Sequence, residues 1–335
     1  MEKPQEEMQN LGFFGIYKET IKTIFSHKKI FTRISITFIF PLSFFLLTHF
    51  VVEDTLDSTL NHDDQDKPYN NSKVENLYLY RKLSNPRIVY WVFIIIYMTL
   101  IFLFSILSTA TVVYTVANVY SGYNVTFKKV LKFVPKVWRR LAITFLFIYF
   151  GFFIYNGIIG LLFYIWASTT RNETTNTNYT IAIFYILVAI YCAGFINLTA
   201  HWQLASVVAV LEISCPRGPM RKCVTLIKRK RLLSWFVFFV LYCAFAGILI
   251  VFFVFMYDGM LGVIMTLVCV FLLMILFLVG YVAQTMLYLV CKSYHGEPID
   301  KMELSRQLGG DLGQIEPTLK VNKDINELGL PQVQV

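Results

Sequence analysis

Charge is what this sequence has least of. Of its 335 residues only 15% are Asp, Glu, Lys or Arg, against about a quarter in soluble domains, which argues against an ordinary cytosolic enzyme. Histidine is scarce too, with five residues scattered along the chain, so no metal-ligand cluster is visible and no metal or cofactor is expected. Cys192, Cys243 and Cys269 sit within apolar runs, while Cys215, Cys223 and Cys291 lie beside basic segments. No disulfide framework is expected from that placement, and the last three are idle thiols or palmitoylation sites. H-E-x-x-H, G-x-S-x-G, Walker and dinucleotide-binding signatures are all missing, so no reaction class follows from a motif.

What is plentiful is apolar: 56% hydrophobic and 17% aromatic residues, with a mean hydropathy of +0.58. A bilayer core about 30 Å thick needs about 20 apolar residues in a helix. Six runs meet that length, near 31–52, 88–117, 141–167, 181–211, 234–257 and 260–291. They lack strand alternation, and backbone groups must be paired internally in lipid, so an all-α membrane domain over 31–291 is expected. It lies between a cytosolic N-terminal segment, 1–30, with an amphipathic helix, and a cytosolic tail, 292–335. Pro41 should kink the first span. The polar first thirty residues and the length of the first apolar run read as a retained helix rather than a cleaved signal. In the tail, Ile299 to Leu308 reads as a short helix, and the remainder as flexible.

Basic residues set the orientation. Of 30 Lys and Arg, 24 fall in 1–33, 118–140, 212–233 and the segment from 292. The alternate loops hold six: Lys67, Lys73, Arg81, Lys82, Arg87 and Arg171. This positive-inside bias places both termini in the cytosol. Glycosylation sequons at Asn70, Asn172 and Asn178 lie on the opposite, lumenal side; matches at Asn124 and Asn197 fall in a basic segment and within a helix. The net charge of +9 is thereby assigned to the membrane surface rather than to nucleic acid.

A threefold pattern underlies the six runs. Basic stretches Ile21 to Arg33, Phe127 to Arg140 and Arg221 to Arg231 each introduce an odd-numbered span. Even-numbered spans echo one another as Ala110-Thr-Val-Val, Ala205-Ser-Val-Val and Ala283-Gln-Thr-Met. The implied unit is a basic amphipathic helix on the inner leaflet followed by a transmembrane hairpin, three times over. In the second copy Phe127, Val130, Leu131, Val134 and Val137 form the apolar side. Lys128, Lys129, Lys132, Lys136, Arg139 and Arg140, with Lys228, Arg229, Lys230 and Arg231 of the third copy, are then candidate contacts to anionic inner-leaflet lipids.

Lys136-Val-Trp-Arg-Arg-Leu, His201-Trp-Gln-Leu-Ala-Ser-Val-Val-Ala-Val-Leu-Glu212 and Tyr288-Leu-Val-Cys-Lys-Ser-Tyr-His295 carry a resemblance. On these stretches the chain resembles a plant family of six-helix membrane proteins of uncharacterised activity. It is also similar to the membrane domain associated with some bacterial glycerophosphodiester phosphodiesterases, without a counterpart of their catalytic domain. The resemblance implies the six-helix fold and carries no activity with it.

Ionisable residues deep in a membrane are functional candidates because placing them there is costly. Within the six spans the only Asp, Glu, Lys or Arg is Arg33, and His201 reads as the one deep titratable group. Asn118, Asn197, His201, Gln203 and Gln284 are candidates for a polar cleft among even-numbered helices, joined by Ser105, Ser108, Thr111 and Thr115 at helical spacing. The favoured reading of these groups is that they hydrogen-bond between helices and set packing. His62-Asp-Asp-Gln-Asp66, in the acidic loop 53–86, could hold a hard cation weakly, but a solvated loop is the preferred reading. Glu212, before Cys215-Pro-Arg-Gly-Pro219, is expected to latch onto an arginine.

The expected function is a non-catalytic endomembrane organiser, adaptor or lipid-interacting factor. Its partners are the bilayer, anionic lipids and cytosolic proteins. The alternative is a transporter or channel for a small uncharged or lipid-like solute, and the third reading is a membrane enzyme using His201. The endoplasmic reticulum is the expected compartment, with the plasma membrane as the alternative.

Overall fold

The computed structural model describes residues 12–65, 86–121, 126–172, 177–211 and 230–294, and every regular element among them is helical. In chain order these are α1 (Phe13–Ser26), α2 (Lys28–Ile34), a π turn (Ser35–Ile39), α3 (Phe40–Gln65), α4 (Pro86–Tyr120), α5 (Phe127–Asn172), α6 (Thr177–Leu211), α7 (Arg231–Phe255) and α8 (Gly259–Tyr294). Six stretches are long and apolar enough to cross a membrane: Lys28–Asp54, Tyr90–Tyr120, Val137–Thr170, Tyr179–Leu211, Leu232–Phe255 and Gly259–Tyr294. Each overlaps one of the six expected runs.

Three departures from the sequence reading have local causes. Ahead of Pro41 the first span passes through the π turn, where the Phe40 N–H bonds the Ser35 carbonyl. A proline has no amide to continue the α ladder and its ring crowds the preceding turn, and the wider turn absorbs both. The acidic stretch after this span is helical as far as Gln65 rather than loop from residue 53, since no Gly or Pro occurs there before Pro68. The basic stretch from Phe127 is not a separate helix: α5 runs unbroken from Phe127 to Asn172. Pro135 sits on its exposed side, where the carbonyl it leaves unbonded can turn outward.

The apolar side of that stretch also faces a different neighbour. Val130, Val134 and Val137 are buried in the protein core with Phe133, whose ring stacks on Tyr114 at 4.2 Å. Leu131 is exposed. Spacing identified the apolar side without identifying what covers it; α4 does.

Aromatic and hydrogen-bond pairs fix the packing directions. Phe45 stacks on Phe104 while His49 meets Tyr97, so α3 and α4 are antiparallel. Tyr114–Phe133 and Phe102–Tyr149 make α4 and α5 antiparallel. Phe152–Trp202 and Phe163–Phe184 do the same for α5 and α6. The α6–α7 pair is set by Phe195–Tyr242 and the Trp235–Asn197 hydrogen bond, and α7–α8 by Leu241 beside Gly280 and Phe255 beside Gly262. Lys28, Tyr120, Arg140, Leu211, Arg231 and Tyr294 therefore share one end of the bundle, the basic end.

The basic end is a dense plug. Val112, Val113, Val116 and Ala117 of α4, Ala205 to Leu211 of α6 and Val282 to Cys291 of α8 hold many of its buried side chains. Lipid gives apolar surfaces no reason to leave it, so helices associate by close packing and small residues at the contacts. Ala110, Ala117, Ala205, Ala209 and Ala283, all buried, supply that closeness. The opposite halves of α5 and α6 differ: between Phe145 and Leu198 no described side chain is buried. α1 lies outside the spans and packs chiefly on α8. Ile16, Thr20 and Thr23 face inward, and Phe14, Ile21 and Phe25 form an exposed stripe on the other side.

Candidate functional site

Between the plug and the far end the six spans do not close on one another. They leave a cavity of about 400 Å³ to which every span contributes wall residues. Leu42 and Leu46 come from α3, Tyr149 and Phe152 from α5, and Phe245 and Phe277 from α7 and α8. These large apolar side chains form most of the surface. Ligand sites in proteins are commonly of this size and composition, with a few polar groups that orient what binds.

The polar groups here fall into two sets, each centred on a tyrosine. The Tyr242 hydroxyl of α7 lies near the side chains of Thr199 and Gln203 of α6. Thr199 Oγ1 donates to the Phe195 carbonyl of its own helix, which leaves its lone pairs to accept from a neighbour. Ser206 Oγ donates to the Gln203 main-chain carbonyl at 2.7 Å, so the Gln203 amide is not engaged by that serine. The second set places the Tyr281 hydroxyl of α8 near Ser105 and Thr109 of α4; Thr109 Oγ1 donates to the Ser105 carbonyl at 2.9 Å.

Two further wall features bear on binding. The Trp202 ring, 5.4 Å from Phe152 in an edge arrangement, is nearly buried, and its indole N–H has no acceptor. Buried donors are nearly always paired, but this nitrogen has no surface open to the cavity, so the ring contributes its apolar face to the wall. Gly280 leaves a side wall open: a Cβ built there would come no closer than 3.8 Å to Leu241 Cδ1, an ordinary contact. Among the described wall residues there is no Asp, Glu, Lys, Arg or His.

Of the expected polar-cleft residues, only Gln203 lines this cavity. Asn197 and His201 meet one turn apart on α6, with His201 Nδ1 against the Asn197 main-chain carbonyl at 2.6 Å. Asn197 Oδ1 accepts the Trp235 indole N–H at 3.3 Å. Asn118 Nδ2 donates to the Tyr114 carbonyl within α4 at 2.8 Å. Gln284 is buried in the packed part of α8, with its Nε2 unpartnered. The structure thus brings Asn197 and His201 together and leaves Asn118 and Gln284 elsewhere. On α4, Ser105 joins the wall, while Ser108, Thr111 and Thr115 are buried. Thr111 and Thr115 donate to carbonyls of their own helix at 2.8 Å and 2.7 Å.

His201 is not alone as a deep histidine. His49, in the first span, is 9% exposed, with Nδ1 3.4 Å from Glu53 Oε2. Among the basic candidates Lys128, Lys129, Lys132 and Arg139 are exposed and Arg140 is half-buried. Lys230 lies 4.8 Å over the Tyr294 ring. Lys136 and Arg231 are placed by backbone alone, in α5 and at the start of α7. Asn172 ends α5 and Asn178 is in the first turn of α6. Lys228, Arg229, Asn70, Asp66, Glu212 and the expected helix from Ile299 to Leu308 lie outside the described residues. Among the described residues no group of three or more His, Cys, Asp or Glu could hold a metal ion.

Sequence reasoning missed Thr199, Trp202, Tyr242 and Tyr281. A signal was present on α6, where Thr199, Trp202, Gln203 and Ser206 follow the three-and-four spacing of one helix face. Their placement in a strongly apolar run masked it. No curated protein and no solved structure matches the chain. A family model described as Domain of unknown function (DUF8558) matches residues 1–328, nearly the whole length, and the chain belongs to that family.

Proposed function

We propose that this protein is a lipid-interacting factor of an endomembrane, with a non-catalytic role as organiser or adaptor, and that its central cavity is where it holds lipid. The observation that carries this reading is the cavity of about 400 Å³, walled by all six spans and mostly apolar. A space of that kind inside a bilayer is open to hydrocarbon more readily than to water or ions.

Other features support the same reading. The exposed stripe of Phe14, Ile21 and Phe25 on α1, with Lys18 and Lys22 on the same side of the helix, suits a helix lying in the headgroup region. Exposed Lys128, Lys129 and Lys132 at the basic end suit contact with anionic headgroups. In this reading the spans are three hairpins, the basic end and both termini face the cytosol, and the endoplasmic reticulum is the compartment.

The test fills the cavity. Gly280 lines the cavity, and a Cβ there meets only Leu241 Cδ1, at 3.8 Å, within 4 Å, so Gly280→Leu adds bulk at the wall. Protein purified in gentle detergent should carry a tightly held lipid, seen by native mass spectrometry, and Gly280→Leu should lose it while keeping its thermal stability. Equal lipid retention in the two proteins would sink the reading.

A further inference from the structure

The chemistry of the wall narrows what the cavity can hold. Among the described residues its polar groups are one amide and several hydroxyls, with no formal charge among them. A phosphate moved into such a wall would leave its hydration behind and find no cation, at a cost far above what neutral donors return. A bare hydrocarbon chain has the opposite defect. It fits the apolar surface and offers nothing to the hydroxyls and the Gln203 amide among the wall residues.

The ligand that satisfies both is amphiphilic and uncharged. A hydroxyl accepts from the Gln203 amide and donates to a tyrosine or threonine oxygen, so one small head group meets the wall's needs. The two tyrosine-centred sets, Thr199–Gln203–Tyr242 and Ser105–Thr109–Tyr281, place such groups on the α6–α7 and α4–α8 sides of the wall. The apolar remainder, Leu42 to Phe277, accommodates the hydrocarbon.

We infer that the central cavity binds an uncharged lipid through a free hydroxyl head group and rejects phospholipid head groups, with Gln203 and Tyr242 as the head-group contacts. Diacylglycerols and sterols share that chemistry. The inference rests on the reading of the cavity as a lipid site.

The experiment reconstitutes full-length protein in nanodiscs of phosphatidylcholine with equal minor fractions of phosphatidylserine, a diacylglycerol and a sterol. Lipid retained after stringent detergent exchange is then identified by mass spectrometry for wild type, Gln203→Leu, Tyr242→Phe and Gly280→Leu. The expected result is enrichment of the diacylglycerol or the sterol, with the separate signals telling the two apart. Each head-group variant should lower that enrichment about two- to tenfold, as loss of one hydrogen bond predicts, and Gly280→Leu should abolish it. Retention of a phospholipid that Gly280→Leu displaces would overturn the uncharged-ligand inference and leave the lipid site standing. Enrichment of an uncharged lipid that neither Gln203→Leu nor Tyr242→Phe changes would overturn the assigned contacts. No lipid displaced by Gly280→Leu would overturn both the inference and the reading beneath it.

Discussion

The Tyr17 hydroxyl donates to the main-chain carbonyl of Val237 at 2.8 Å, tying a helix outside the spans to α7 one residue before Phe238, a wall residue of the cavity. Tyr17→Phe removes this bond and should cost about 1 kcal/mol, read as a lower thermal midpoint in detergent. Burial pushes the Tyr17 pKa from 10.0 to about 12. A raised folded-state pKa means the folded chain holds its proton longer, so this stabilisation is complete below pH 10 and is lost as pH climbs to about 12. The advantage of wild type over Tyr17→Phe should narrow across that window and stay constant beneath it.

The Trp235–Asn197 hydrogen bond links α6 to α7. Interhelical bonds in membranes are worth about 0.5–2 kcal/mol. Asn197→Ala and Trp235→Phe should each destabilise within that range, and the double variant should cost less than their sum, because the bond is lost only once. Denaturant titration in mixed micelles measures the cycle. Strict additivity would mean that the bond contributes nothing in the folded membrane protein.

Three glycines should respond differently to alanine. A Cβ at Gly262 would stand 2.5 Å from the Phe255 carbonyl oxygen, and main chain cannot step aside; Gly262→Ala should cost about 1–3 kcal/mol. Gly259 has φ 56°, the left-handed region, so Gly259→Ala should cost about 1–2 kcal/mol. Gly157 has nothing within 4 Å, and alanine there should stabilise the helix by up to about 1 kcal/mol. Thermal midpoints of the three variants, measured side by side, check the ranking.

Exposed Lys128, Lys129 and Lys132 should draw phosphatidylserine to the basic end. Each cation near an anionic leaflet adds about 1 kcal/mol of attraction. Replacing all three by Gln should lower phosphatidylserine co-purification and leave thermal stability unchanged. The wild-type preference should itself weaken as salt is raised. Unaltered lipid recovery would assign these lysines to topology alone.

The spans were legible because lipid imposes a length and a composition that few other constraints can mimic. Their ends agree with the expected runs to within a few residues, and Pro41 marked its irregularity in advance even though a π turn takes the strain. What covers an amphipathic face was not legible: Val130, Val134 and Val137 have the same spacing whether α4 or a leaflet lies against them. The cavity was harder still, because a wall of Leu, Phe and Tyr differs from a packed core only in what fails to fill it. Polar residues conspicuous in sequence, Asn197 and His201, bond to groups at hand, while Thr199 and Tyr242 acquire meaning only once α6 and α7 are side by side.

The most direct test of a lipid-filled centre is a density map of the full-length protein in lipid nanodiscs, obtained by cryo-electron microscopy with a rigid binder as fiducial. The account predicts continuous, chain-shaped density among Leu46, Phe152, Phe245 and Phe277, ending beside Gln203 and Tyr242. Side chains collapsed into that volume, or a column of water crossing it, would contradict the account.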